Sequence, residues 1–189
     1  MELLKEKILK EGIVLKGEIL KVDSFLNHQI DPLLMMEIGK EFATRFANTK
    51  IDRILTIEAS GIAVALTTAL VLNVPVVFAK KGKSELMNDD AYYADVYSFT
   101  KKINSKVSVL KKFLPANQNI LIIDDFLAHG EAALGLASIA EQSGSKIVGI
   151  GIVIEKQFQG GATKLINSGY HLESLAKIKT FEKGKVILG

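Results

Sequence analysis

The chain contains no cysteine. That excludes disulfide bridges, thiolate metal sites and cysteine nucleophiles together, and it fits a reducing cytoplasm, where the protein is expected to reside. Charge of one sign is also scarce: 24 Lys+Arg against 21 Asp+Glu leave a formal net charge of +3 over 189 residues. A nucleic-acid binder is expected to cluster basic residues, so this balance suits a small anionic ligand and argues against nucleic acid. The histidines His28, His129 and His171 share no ligand spacing with carboxylates, so no protein-only metal site is expected. Long apolar runs are missing too. The longest, residues 62–72, is bounded by Gly61 and by Asn73 before Pro75. It is too short to span a bilayer and reads as a buried helix. The first ten residues interleave charge with apolar side chains, unlike a signal peptide.

What is present is a globular composition, 48% hydrophobic and 24% charged, with enough length for one domain and a sizeable core. No linker, repeat or low-complexity segment divides it, so residues 1–189 are expected to form a single domain. Leu3, Leu4, Ile8 and Leu9 have helical spacing and predict a short amphipathic helix ending at Gly12. Residues 13–22 alternate loosely, as a strand would. Asp31 followed by Pro32 is a helix start, with a carboxylate for the free amides and a proline that sacrifices no bond. Leu34, Met35, Ile38, Phe42 and Phe46 continue it as one apolar face. Apolar runs at 53–57, 74–79, 120–123 and 146–154 alternate with helical patterns at 61–72, 131–142 and 162–168. Near-continuous apolar strands between helices imply an α/β fold, a mainly parallel sheet covered on both faces. Ligands in such sheets bind at the carboxyl ends of the strands, which singles out the loops after Ile57 and Ile123. Residues 80–95 interrupt the alternation as a long loop, a feature that is usually functional. Residues 92–100 then alternate like one strand of a hairpin.

The strongest chemical signal is ILIIDDFLAHGEA at 120–132. An apolar strand delivers Asp124 and Asp125 to its end, and a short loop with Gly130 leads into a helix. Amides at a helix start bind phosphate, helped by the helix dipole, and two carboxylates beside them accept from neighbouring ribose hydroxyls. The plainer alternative is a capped helix after a strand, with both acids merely solvated.

This segment resembles the phosphoribosyl-pyrophosphate signature of the type I phosphoribosyltransferases. VDSFLNHQIDP at 22–32, EASG at 58–61, VYSFTK at 96–101 and DDFLA at 124–128 extend the resemblance, in order, to the xanthine branch of that family over nearly the whole chain. The resemblance implies the type I phosphoribosyltransferase fold, with a small hood from about residues 1–35 and 155–189 and a mobile loop at about 80–95. It implies a purine-salvage pentosyltransferase that moves 5-phosphoribosyl from phosphoribosyl pyrophosphate to N9 of xanthine. Related readings are a hypoxanthine/guanine enzyme and a phosphoribosyl-pyrophosphate-sensing regulator on the same fold.

The resemblance also assigns residues. Asp124 and Asp125 would hold the ribose hydroxyls and are the catalytic candidates. Ala128, His129, Gly130, Glu131 and Ala132 would bind the 5-phosphate, and Glu58, Ala59, Ser60 and Gly61 the pyrophosphate through small residues that let amides approach. Lys80 and Lys81 would reach the pyrophosphate from the mobile loop. Leu20, Asn27 and Lys156 would recognise xanthine. Asn27 is equally at home as a turn residue, and Lys156 as a solvated lysine at a strand end. Magnesium is the implied cofactor, held mainly by the substrate, and a homodimer is the implied assembly, with the hairpin near 92–112 at its interface. The loop departs from its relatives at His129 and Glu131, where uncharged residues are usual. A carboxylate about 4 Å from a phosphate costs several kcal/mol at an effective dielectric of about 20 unless it points away. His129 would partly offset it when protonated.

Overall fold

The computed structural model describes residues 1–16, 19–82, 90–98 and 103–189. Helix α1 (Glu2–Glu11) buries Leu4 and Ile8 and turns Leu3 and Leu9 outward. Where one strand was expected at 13–22, β1 (Ile13–Leu15) and β2 (Ile19–Lys21) pair antiparallel, Ile13 opposite Lys21. Loose alternation is compatible with one long strand or two short ones. The reversal puts Leu20 inward while Ile13, Leu15 and Ile19 stay exposed. A π-helical segment, Asp23–Asn27, follows. Helix α2 (Pro32–Arg45) begins as anticipated: the Asp31 carboxylate accepts from the Leu33 and Leu34 amides at 3.1 Å each.

After β3 (Arg53–Ile57), helix α3 (Gly61–Leu72) leads to β4 (Val76–Lys81). Helix α3 is apolar all round and was expected to be buried. Only one stripe, Val64, Ala65, Thr68 and Ala69, is inside; Leu66 and Leu70 are 52% and 63% exposed. A helix in the outer layer of a sheet has one face to bury, whatever its other face is made of. Strands β5 (Ala91–Ser98) and β6 (Ile103–Leu110) form an antiparallel hairpin. The expected loop at 80–95 is thus narrower: Lys80 and Lys81 end β4, residues 91–95 belong to β5, and residues 83–89 lie outside the described residues.

Strand β7 (Asn119–Leu127), helix α4 (Glu131–Gln142), strand β8 (Lys146–Lys156) and helix α5 (Gly161–Asn167) complete the alternation. Two strands that the apolar pattern did not mark, β9 (Leu172–Glu182) and β10 (Lys185–Leu188), close the chain.

The main sheet has eight strands in the order β10-β9-β8-β7-β3-β4-β6-β5. Its five central strands, β9 to β4, run parallel. One face is covered by α1, α2 and α3 over Ile54, Leu121, Ile123 and Val153. The other is covered by α4 and α5 over Leu55, Ile122, Ile150 and Ile152. From β3 the chain moves outward to β4. It returns to place β7 on the other side of β3, then proceeds to β8 and β9. The direction of winding therefore reverses between β3 and β7, and the loops leaving these two strands part company and open a crevice there. Among the described residues no helix is long and apolar enough to cross a membrane.

Candidate active site

The crevice is a cavity of ≈ 360 Å³ at the carboxyl ends of β3 and β7. Its walls hold Glu58, Ala59, Ser60 and Gly61 after β3, Asp124 and Asp125 on β7, and Ala128, His129, Gly130, Glu131 and Ala132 at the start of α4. Residues from two distant parts of the chain converge because β3 and β7 are hydrogen-bonded neighbours, with Leu55 paired to Ile122.

The apolar strand extends further than residues 120–123, so both acids sit on β7 itself, not in the loop after it. Asp124 is 4% exposed, and its Oδ1 accepts from the Asp125 amide at 2.9 Å. Burial pushes its carboxyl well above the usual carboxylate range, and the neighbouring Asp125 charge adds to the rise. A side chain at Gly61 could not be accommodated: a Cβ there would overlap Thr56 Oγ1 and lie 2.9 Å from Asp124 Oδ1. The residue that opens α3 must therefore be glycine for the acid to keep its place.

Gly130 has φ +86°, a left-handed conformation natural to glycine. It turns the chain from β7 into α4. The first helical hydrogen bond runs from the Leu134 amide to the Gly130 carbonyl, so the amides of Glu131, Ala132 and Ala133 have no carbonyl one turn earlier to bond. With the dipole of a twelve-residue helix behind them, they form an anion-binding end. His129 Nδ1 lies 3.1 Å from the Gln159 carbonyl oxygen, and Glu131 Oε1 accepts from Lys164 Nζ at 2.6 Å.

Across the crevice, the Glu58–Ala59 peptide is cis. The Glu58 carboxylate accepts from the Lys81 amide at 2.6 Å, which ties the loop after β3 to the end of β4. Lys81 lines the cavity, whereas Lys80 lines a second, mainly apolar cavity with Phe78 and Phe113. Successive residues of a strand point to opposite faces, so the two lysines are not equivalent.

The three residues expected to read the base are less closely gathered. Lys156 ends β8 with its Nζ 5.9 Å from the centre of the Phe126 ring, and Phe126 is in the cavity wall. Leu20 is buried in the core beneath α1 and α2, and Asn27 is exposed at the end of the π-helical segment; none of the three lines the cavity. Sequence reasoning missed Phe126 and Ser105, both in the wall. Phe126 was legible in principle, being the residue just after the acid pair. Tyr97, read as part of an alternating strand face, lines the cavity, while Tyr92 packs against the core beneath the hairpin.

Residues 27–166 match the family of the phosphoribosyl transferase domain. The chain is 57% identical over 187 residues to xanthine phosphoribosyltransferase of Lactobacillus delbrueckii subsp. bulgaricus, with 99% of each chain covered. It is 57% identical over 186 residues to that of Bacillus mycoides, covering 98% of this chain and 94% of the relative. Among solved structures, adenine phosphoribosyltransferase from Rhodothermus marinus superposes with a TM-score of 0.77 at 16% identity, covering 94% of this chain and all of that one (100%). The enzyme of the same name from Thermoanaerobacter pseudethanolicus gives 0.75 at 22%, covering 92% and 99%. These structures share the fold. Matched by the domain over most of its length and by its curated relatives almost end to end, the chain belongs to the phosphoribosyltransferase family, in its xanthine phosphoribosyltransferase branch.

Proposed function

We propose that the protein transfers the 5-phosphoribosyl group of phosphoribosyl pyrophosphate to N9 of xanthine, giving xanthosine 5′-monophosphate and pyrophosphate, as a cytoplasmic step of purine salvage. The observation that carries this reading is one cavity bounded by a glycine-opened helix end, an acid pair and a loop of small residues. Those features suit, in order, a 5-phosphate, a pair of ribose hydroxyls and a pyrophosphate. The amides of residues 131–133 would take the 5-phosphate, Asp124 and Asp125 the hydroxyls, and residues 58–61 with Lys81 the pyrophosphate.

Bond making and breaking then need little covalent help. N9 of the base attacks the anomeric carbon as pyrophosphate leaves, and positive charge grows on the sugar. The site acts by holding the two reactants in line and placing carboxylates beside the developing charge. Magnesium supplies charge neutralisation on the leaving pyrophosphate when it is bound. Among the described residues no cluster of three or more acidic or histidine side chains could hold a metal ion, and the acid pair forms only one wall. This donor set fits an ion carried mostly by substrate oxygens and water. Lys81 would complement the pyrophosphate on leaving.

For the base, Lys156 would donate to the 6-carbonyl and so disfavour the amine of adenine, with Phe126 beneath it as an apolar platform. Asn27 would donate to the 2-carbonyl that distinguishes xanthine from hypoxanthine. This requires the N-terminal segment to approach the cavity when the base is present. We read α1, packed on β9 and β10, with β1 against β10 and β2 paired to β1, as the hood that does so. A second copy of the chain would cover the apolar surface at the base of the β5–β6 hairpin.

The test is turnover with phosphoribosyl pyrophosphate and magnesium, with xanthine, hypoxanthine, guanine and adenine offered separately. The expected outcome is rapid formation of xanthosine monophosphate, with the other bases at least about tenfold slower, since each lacks a matching acceptor for a desolvated donor. Preference for another base would sink the roles of Asn27 and Lys156. No turnover with any base would sink the enzyme reading.

A further inference from the structure

The helix end offered to the 5-phosphate carries a negative charge of its own. Glu131 is the first residue of α4 and lines the cavity. Alone, a carboxylate there complements the helix dipole, but it repels a second anion bound to the same amides. The structure meets it with a cation from another element. Lys164 of α5 donates to Glu131 Oε1 at 2.6 Å across 33 residues of chain.

The segment bearing this lysine is anchored to the loop at two further points. The Gly161 amide donates to the Ala128 carbonyl at 3.0 Å, and His129 Nδ1 pairs with the Gln159 carbonyl at 3.1 Å. These contacts fall just before Gly130 and the ion pair just after it. Lys164 thus reaches Glu131 from a backbone already docked on the turn.

We propose that Lys164 is a positioning residue for the 5-phosphate: it neutralises Glu131 and holds its carboxylate along α5, leaving the amides of residues 131–133 to the incoming anion. The proposal rests on the reading of residues 128–132 as the 5-phosphate loop. The pair is partly exposed, with side chains 48% and 30% accessible. Such a pair contributes little to folding, so its effect should appear in ligand binding and not in the melting temperature.

The experiment compares wild type, Lys164→Met, Glu131→Gln and the double variant as full-length enzymes. Ribose 5-phosphate, inhibiting competitively against phosphoribosyl pyrophosphate, probes the 5-phosphate site; pyrophosphate, which lacks that group, is the internal control. With Lys164→Met, the inhibition constant of ribose 5-phosphate and the KM for phosphoribosyl pyrophosphate should rise about tenfold. The kcat, the KM for xanthine and inhibition by pyrophosphate should move less than about twofold, with the melting temperature unchanged. Glu131→Gln alone should tighten ribose 5-phosphate, and adding it to Lys164→Met should restore affinity. A Lys164→Met enzyme that binds ribose 5-phosphate normally overturns the proposal. So does a double variant as weak as Lys164→Met, because the lysine would then act on something other than Glu131. Gly130→Ala, which strains the left-handed turn, checks the underlying reading: if it leaves ribose 5-phosphate binding intact, the loop assignment itself is wrong, and the Lys164 results cannot be mistaken for that failure.

Discussion

Asp124 shows how a carboxyl in the cavity wall is held against its own preference. It is buried, and its carboxyl sits well above the usual range because of that burial and of Asp125. The folded protein therefore keeps this proton to higher pH than the unfolded chain does. Stability from this group is present at low pH. It falls as pH rises from the ordinary carboxylate range to the raised folded value, and is constant above that. Asp124→Asn removes the penalty. Its melting temperature should exceed that of wild type at pH 8 by more than at pH 4, while kcat/KM, compared at a pH where wild-type Asp124 is ionised, falls about 10- to 100-fold through loss of a charged acceptor worth roughly 1.5–3 kcal/mol. Calorimetry at both pH values with steady-state assays checks this, and a variant less stable than wild type at pH 8 would refute the account. The acid pair was legible from an apolar run that ends in two aspartates. The ion pair of Glu131 was not, because Lys164 reaches it only after α5 has folded back. Nor could spacing tell Lys81, in the cavity, from Lys80, outside it.

Among the elements, helices with local punctuation were the most readable. Helix α2 begins at the proline that follows its capping aspartate, and α4 spans the stretch its periodicity indicates. The Asp31 carboxyl is held below its usual range, first by the Leu34 amide and then by Lys7, whose Nζ is 3.1 Å away. A depressed acid stabilises above the usual carboxylate range and ceases to do so as pH falls through its folded value. Asp31→Ala should melt about 2–4 °C below wild type at pH 7, and the gap should close on acidification towards pH 3. Thermal denaturation across that range is the measurement; a constant gap would mean the loss is not one of charge. Strands were harder to read. The hairpin at 13–21 depends on where the chain reverses, β10 (KVIL) is only four residues long and pairs with β9 alone, and β9 interleaves charge with apolar residues (LESLAKIKTFE), a pattern that does not force a strand. Pairing with β8 does, through Ile152 opposite Ser174 and Ile154 opposite Ala176.

Taken whole, the molecule leaves apolar surface uncovered where its sheet ends. Phe78 and Phe113 line a cavity below the β5–β6 hairpin and are 39% and 51% exposed. A surface of this kind fits the proposed second copy. The protein should therefore sediment at about twice its 20.6 kDa chain mass. Phe113→Asp should shift it towards the monomer without loss of helical signal, because a charge in the interface goes unpaired. Wild type at the chain mass, at micromolar concentration, would exclude the homodimer.

Local order was decided by the chain itself: the caps, the apolar strands, the paired acids and the glycine after them each act on neighbours within a few residues, so their pattern carries their meaning. Which side of β3 receives β7 was decided only by packing in three dimensions. That choice creates the crevice and sets Gly61 against Asp124, while the return of α5 after β8 brings Lys164 to Glu131. Each of these contacts joins residues far apart in the chain, whose approach depends on burying both faces of the sheet at once.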